Sequence, residues 1–398
     1  SLLEDSHYQP FAGIYNTYMV PYLDNHGRML SMLCDAIKGV YASVYFKDSK
    51  AYMQATRNVI DEEKMAVVLQ EVVGRRYGDH FYPNISGVGR SLNYYPLDDE
   101  RAEEGTVSLA LGLGKYIVDG GRTLRVCPAH PARVLQTSDT EMALRETQTR
   151  FCALDLKNMG ENFSVDDGFN LLRLPVKVAD ADGALQFIAS TFNPTDQVIY
   201  PGLYPGGRKI ISFVGVLEHD VVPLPQIMSE VLQMGEEAMR RPVEIEFAVE
   251  IDAKNRSCVF YLLQIRPMVD VRTEVNIDLS AIDPARVLLR SDNALGHGNF
   301  DDLTDVVYVK TDDYSAGNNP LIAEEIEHLN AGFLAEGRHY VLIGPGRWGS
   351  SDPWLGVPVK WPAISAARLI VEAGLTNYRV DPSQGTHFFQ NLTSFGVG

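Results

Sequence analysis

From Val243 the chain reads VEIEFAVEID, then a short polar break, then CVFYLLQIRP to Pro267. A strict period of two specifies a strand, because a helix would scatter the same residues around its axis. Val243, Ile245, Phe247, Val249 and Ile251 take one face; Glu244, Glu246, Ala248, Glu250 and Asp252 take the other. In the second run Val259, Tyr261, Leu263 and Ile265 share a face, and Cys258, Phe260, Leu262, Gln264 and Arg266 share the opposite one. The break AKNRS is a turn signal, so the two runs form a hairpin. With residues 253–257 as the loop, Glu246 faces Gln264 and Glu244 faces Arg266, within side-chain reach. A carboxylate and an amide oxygen suit Mg²⁺, which commonly bridges protein carboxylates to phosphates. A guanidinium at the edge adds a planar fork for phosphate. A solvated acidic face with an incidental ion pair satisfies the same spacing. Gln-x-Arg-Pro weakens that alternative, and the spacing alone leaves both open.

The rest of the chain reads as α/β, or α+β, with a mixed and largely antiparallel sheet. Helical patterns occupy GRMLSMLCDAIKGVYASVYF and SKAYMQATRNVI. Met65–Val73, MAVVLQEVV, is a β-branched apolar run that predicts a buried strand. NISGVGRSLNYY and TVSLALGLG predict further strands. PLPQIMSEVLQMGEEAMRRP is an amphipathic helix with Ile227, Val231, Met234 and Ala238 on its apolar face, stopped by Pro242. Residues 131–215 read as an insertion or subdomain. Residues 270–302 read as linker, and the tail from Asp305 has its own strand–helix–strand pattern. These patterns predict two regions, 1–270 and 271–398, within a length of 398 residues that accommodates two or three domains. The chain starts at Ser1 without Met and stops on TSFGVG, as an excised piece of a longer protein would.

A net charge of −17 argues against a nucleic-acid partner, which needs concentrated Lys and Arg. No apolar run approaches the roughly 18 residues of a membrane helix, and no signal segment opens the chain. Cys34, Cys127, Cys152 and Cys258 form no Cys-x-x-Cys pair and show no metal-ligand spacing; scattered thiols fit a reducing cytoplasm.

At the hairpin the sequence resembles a known family. VEIEFAVE and LLQIRP are similar to the DIEWA and LQxRP motifs that end the ATP-binding domain of the pyruvate phosphate dikinase and phosphoenolpyruvate synthase family. Other segments match in order. SLLEDSHYQPFAGIYNTYM resembles SSxxEDxxxxSFAGxxxTxL, and GVYASVYFKDSKAYMQ resembles VWASLFxxRAxxYR. MAVVLQEVVG resembles MAVVVQxMV, ISGVG resembles SGVAF, and LGLGKYIVDG resembles GLGExVVxG. The resemblance covers residues 1–268 and implies the C-terminal lobe of an ATP-grasp fold. It implies that Glu246 and Gln264 hold Mg²⁺ and phosphate, with Arg266 on a phosphate. It implies that Gly13 and Thr17 lie on a loop covering the ATP phosphates, and that the stretch Gln70, Glu71, Val72, Val73 holds the adenine. By themselves Gln70 reads as an edge polar residue and Gly13 and Thr17 as an ordinary turn. The implied chemistry is Mg²⁺-ATP-dependent phosphoryl transfer, done by positioning and charge stabilisation. In the family the acceptor is a histidine on a swivelling domain, which then serves pyruvate or a related acceptor. A non-catalytic or regulatory ATP-binding module of the same fold is the alternative. Acyl-phosphate chemistry on the same fold is a further one, and QxRP argues against it.

Several features depart from the family pattern. Its N-terminal lobe supplies a Lys and an Arg upstream of Glu4–Asp5, before this chain begins. GLGE is here GLGK, with Lys115, and GVAFTRDP is here GVGRSLNYYP. The carrier motif GGxTSHAA does not occur; PSQGTHFFQN, with His387, is its nearest echo, and His387 reads either as carrier or as a structural histidine. LIGPGRWGSSDPW, Leu342 to Trp354, reads equally as an anion cradle or as a tight packed turn.

Overall fold

The alternating segment is a two-stranded ribbon, Val243–Asp252 antiparallel to Ser257–Pro267. The computed structural model describes residues 13–56, 63–158, 163–219, 221–268, 282–291, 300–375, 378, 380 and 386–398. The boundary expected near residue 270 and most of the expected linker lie outside them. The ribbon forms one edge of a five-stranded antiparallel sheet. The sheet continues inward through Ile85–Arg90 and Thr106–Ala110 to Leu124–Val126. Val243, Ile245, Phe247, Val249 and Ile251 are all buried, so the alternation put the core face where it belongs.

Helix Leu224–Met239 covers that face. It buries Leu224, Met228, Leu232 and Gly235, while Met234 is 67% exposed. The buried stripe is therefore rotated from the one the sequence predicts. The cause is Gly235: a Cβ there would sit 2.8 Å from Ile265 and 3.1 Å from Val243, so the helix meets the sheet along its smallest residue.

Residues 131–215 carry a separate three-stranded sheet of Ala189–Asn193, Val198–Pro201 and Arg208–Ile211, and share strands and core with the rest. Arg150–Asp155 pairs with Leu171–Pro175 and with His80–Tyr82 in a four-stranded sheet. Phe151, Cys152, Ala153 and Leu154 join the same core as Val107 and Phe247. Gln148 clasps Leu111, accepting from its N–H and donating to its carbonyl.

Met65–Val73 overturns an expectation. It joins no sheet among the described residues; Val68 is 84% and Leu69 65% exposed. A β-branched run becomes a buried strand only where a neighbour supplies the ladder and a covering layer, and this one lies outside the sheet edge.

A second core combines the two ends of the chain. Ile14, Tyr15, Val44, Tyr52 and Met53 pack with Tyr340, Leu342, Trp348, Trp361 and Leu392. The first group belongs to or adjoins helices His26–Ser43 and Lys47–Thr56. The second surrounds a parallel sheet of Asp305–Tyr308, Tyr340–Pro345 and Ala367–Ala373, joined through helix Asn319–Glu336. In the Gly-rich stretch after Tyr340–Pro345, Trp348 is buried and donates Nε1–H to the Val371 carbonyl at 3.1 Å. Ser350 Oγ donates to the Gly120 carbonyl at 3.1 Å, and Ser351 N–H to Asp119 at 3.1 Å. These bonds favour the packed turn over the anion cradle. Among the described residues no helix is long and apolar enough to cross a membrane.

Candidate functional site

The turn of the ribbon is shorter than the sequence suggests. Asp252 pairs with Ser257, so four residues, 253–256, make the loop. Asp252 accepts from the N–H groups of Lys254 and Asn255, and Arg256 takes a positive φ of 49°. That register would set Glu246 against Leu263. A β-bulge corrects it: Phe247 pairs with Leu262, Glu246 pairs with Gln264, and Leu263 is the extra residue. Glu246–Gln264 and Glu244–Arg266 are therefore opposed as predicted. The outer half of the second strand is flipped relative to prediction. Cys258 and Phe260 face the core, and Phe260 stacks on Phe247 at 4.7 Å. A one-residue shift exchanges the faces of everything beyond it.

Around these pairs the charges alternate. Arg90, at the end of Ile85–Arg90, lies opposite Glu244 in the sheet. Its Nε and Nη2 sit 2.7 and 2.6 Å from Glu244 Oε2, with the two side chains only 2% and 3% exposed. Glu244 Oε1 is 3.3 Å from Arg266 Nε. Arg266 Nη2 donates to Glu246 Oε1 at 2.7 Å and, at 3.4 Å, to Gln264 Oε1. The last member comes from the far end of the chain: His387 Nε2 lies 3.9 Å from the same Glu246 Oε1. Burial by itself would raise the Glu246 pKa; His387 and then Arg266 outweigh it and hold the carboxyl below its ordinary value.

His387 opens helix His387–Ser394. Thr386 Oγ1 accepts from the Phe389 N–H at 3.0 Å, a side-chain cap that starts the helix there. Phe389 lies under the Arg90 guanidinium at 5.1 Å and against the rings of Tyr94 and Tyr95. Gly13 meets the other side of the histidine: it has φ +78°, and a Cβ on it would lie 2.6 Å from His387 Nδ1. Only glycine fits both the backbone and the ring.

Glu246, Gln264, Arg266, Gly13 and His387 are thus brought together. Thr17 is exposed on a segment whose neighbours, Asn16 and Tyr18, both donate to the Val165 carbonyl. Gln70 reaches the ribbon differently: its Nε2 donates to the Leu263 carbonyl, at the bulge, at 3.1 Å. Glu71 is exposed and Val73 half-buried. Lys115 pairs with Asp167 at 3.1 Å and Asp119 at 3.4 Å. Burial would lower its pKa, and these two carboxylates outweigh it and raise it. A shallow recess lined by Thr123, Gln136, Thr147 and Phe213 includes none of the Glu246 group. Sequence reasoning missed Arg90 and Phe389. An Arg closing the otherwise small and apolar ISGVG strand was the available signal for the first; the second had none.

The groups opposed across the ribbon are one carboxylate and one amide, beside a guanidinium fork and the His387 imidazole. That is the chemistry of a hard cation with phosphate, and two protein oxygens suit a Mg²⁺ that keeps most of its waters. Residues 1–281 match one protein family, described as pyruvate phosphate dikinase, AMP/ATP-binding domain. Among curated proteins, none matches the chain.

Proposed function

The chain belongs to the pyruvate phosphate dikinase AMP/ATP-binding domain family, a family of ATP-binding phosphotransferase domains, and from that premise we propose that it is the ATP-grasp part of a Mg²⁺-ATP-dependent dikinase. Glu246 and Gln264 are the metal ligands in this proposal and Arg266 holds the transferring phosphoryl group. Gly13 and Thr17 cover the phosphates, and the backbone from Gln70 to Val73, with Glu71 between, lines the adenine. Bound Mg²⁺-ATP supplies the electrophilic phosphorus and neutralises its oxygens. The protein's part is orientation. Glu244, locked by Arg90, fixes the Arg266 fork through Nε, and Glu246 steers His387.

The acceptor proposed is His387, from which a small acid such as pyruvate could be served. The observation that carries this is the sharing of Glu246 Oε1 between Arg266 and His387. His387 also stands in the first turn of its helix, where the partial positive charge of free N–H groups favours a phosphate. The test uses full-length protein with phosphorus-labelled ATP. Acid-labile, base-stable label should appear on the protein and be absent from His387→Ala, with ATP binding retained; label persisting in His387→Ala removes the residue from the chemistry.

A regulatory module is the second reading, favoured by the helix itself: with Phe389 under Arg90 and His387 on Glu246, it sits across the site. ATP binding without any label or isotope exchange between ATP and AMP would select it.

A further inference from the structure

The first helical turn of the Ala102–Glu104 segment and the loop after strand Leu124–Val126 meet at the other end of the sheet from the ribbon. Cys127, Pro128, Ala129 and His130 form a tight turn closed by the His130 N–H on the Cys127 carbonyl at 2.9 Å. The sequence showed no Cys-x-x-Cys pair, and the turn instead carries Cys-x-x-His. Ligand atoms of Glu104, Cys127 and His130 all lie within 4.8 Å of one another. We propose that these three side chains form a binding site for a thiophilic divalent cation of the Zn²⁺ class, with water as the fourth ligand.

Four observations carry it. The ligand atoms are a thiol, an imidazole and a carboxylate, the set that selects Zn²⁺ over Mg²⁺ or Ca²⁺. Bonds of about 2.0–2.3 Å to one tetrahedral ion set ligand atoms roughly 3.3–3.7 Å apart, so the present set, within 4.8 Å, lies near that spacing and Glu104 Oε2 and His130 Nε2, now 3.0 Å apart, need only separate slightly. The turn fixes the spacing of two of the ligands: Cys127 is buried, and the His130 N–H bonded to its carbonyl holds the two side chains on one side of the turn. The carboxylate is held from behind: Arg101 donates to Glu104 Oε1 through Nε at 3.0 Å, and its backbone N–H donates to Oε2. That leaves Oε2 directed at His130 Nε2, 3.0 Å away. A ligand oriented by an outer hydrogen bond is the usual support of a metal site.

The charges balance. Binding releases the Cys127 proton to solvent, with any second proton on His130. One thiolate and one carboxylate then neutralise the dication. Cys127 is fully buried, whereas His130 is 26% exposed, so the ion has an entry side and a place for its water. Without the ion, the Glu104–His130 hydrogen bond fills the gap.

The test is a Co²⁺ titration of tag-free, reduced protein followed by Zn²⁺ competition. A thiolate-to-cobalt charge-transfer band at one equivalent is expected, displaced by Zn²⁺, with proton release on binding. Cys34→Ser, which removes the exposed thiol, should leave the band intact. Cys127→Ser should abolish it, and His130→Asn, on the accessible side, should weaken binding more than about tenfold. Because the band is read first on unmodified protein, misfolding of a variant cannot hide the answer. Absence of the band, or its survival in Cys127→Ser, overturns the proposal.

Discussion

At the scale of single residues, the Arg90–Glu244 pair is the most exacting contact. Both partners are almost fully buried, so removing one leaves the other charged in a dry place. Arg90→Ala should cost about 3–5 kcal/mol in urea unfolding, whereas a joint replacement of both by apolar residues should cost far less. Glu246 responds to pH. Its folded pKa lies below the ordinary 4.5, so its stabilising contribution is complete above 4.5 and is lost as pH falls through the depressed value. Glu246→Gln should therefore unfold more easily than the parent at neutral pH, and the gap should close on acidification; a constant gap would refute the linkage. Gly13→Ala should destabilise by about 1–2 kcal/mol, from the left-handed backbone alone, and displace His387, visible as a shift in its imidazole resonances. The opposition of Glu246 to Gln264 and of Glu244 to Arg266 was legible because alternation assigns a face to every residue. His387 was legible only as an echo, since nothing local says that residue 387 returns to residue 246.

At the scale of elements, the bulge decides what the ribbon can present. A four-residue turn alone would point Gln264 and Arg266 into the core; the extra Leu263 restores them to the Glu246 side. The sequence predicts the right pairs for a different reason, a five-residue turn. Ser257 can end a loop or begin a strand, and two compensating shifts leave no trace in composition. The same bulge anchors Gln70. Gln70→Ala should release the 65–73 segment, seen as faster amide exchange there. It should weaken ATP binding by the worth of about one hydrogen bond, near 1 kcal/mol, measured by calorimetry. That segment also shows where sequence reasoning stops: a run such as MAVVL specifies extended chain, but burial depends on what lies alongside. Helix Leu224–Met239 gives the converse case, with its period legible and its contact stripe set by one glycine.

At the scale of the whole molecule, the match to the family ends at residue 281 while the packing does not. Among the described residues, Ile14, Tyr15, Val44, Tyr52 and Met53 share their core with residues from Val307 to Val397. A piece comprising residues 13–281 should keep the five-stranded sheet protected and lose order across 13–56, where a lysine-specific protease should cut at Lys38 and Lys47 far faster than in the longer chain. Equal resistance in both would show that the N-terminal helices stand alone. The shared oxygen of Glu246 carries one more consequence. By thermodynamic reciprocity, whatever factor an occupant of that carboxylate takes from the seating of helix His387–Ser394, the seated helix takes from the occupant. Phe395, just past the helix, stacks flat on Trp361 at 4.8 Å, so trimming that indole would retune affinity at a ribbon it never touches.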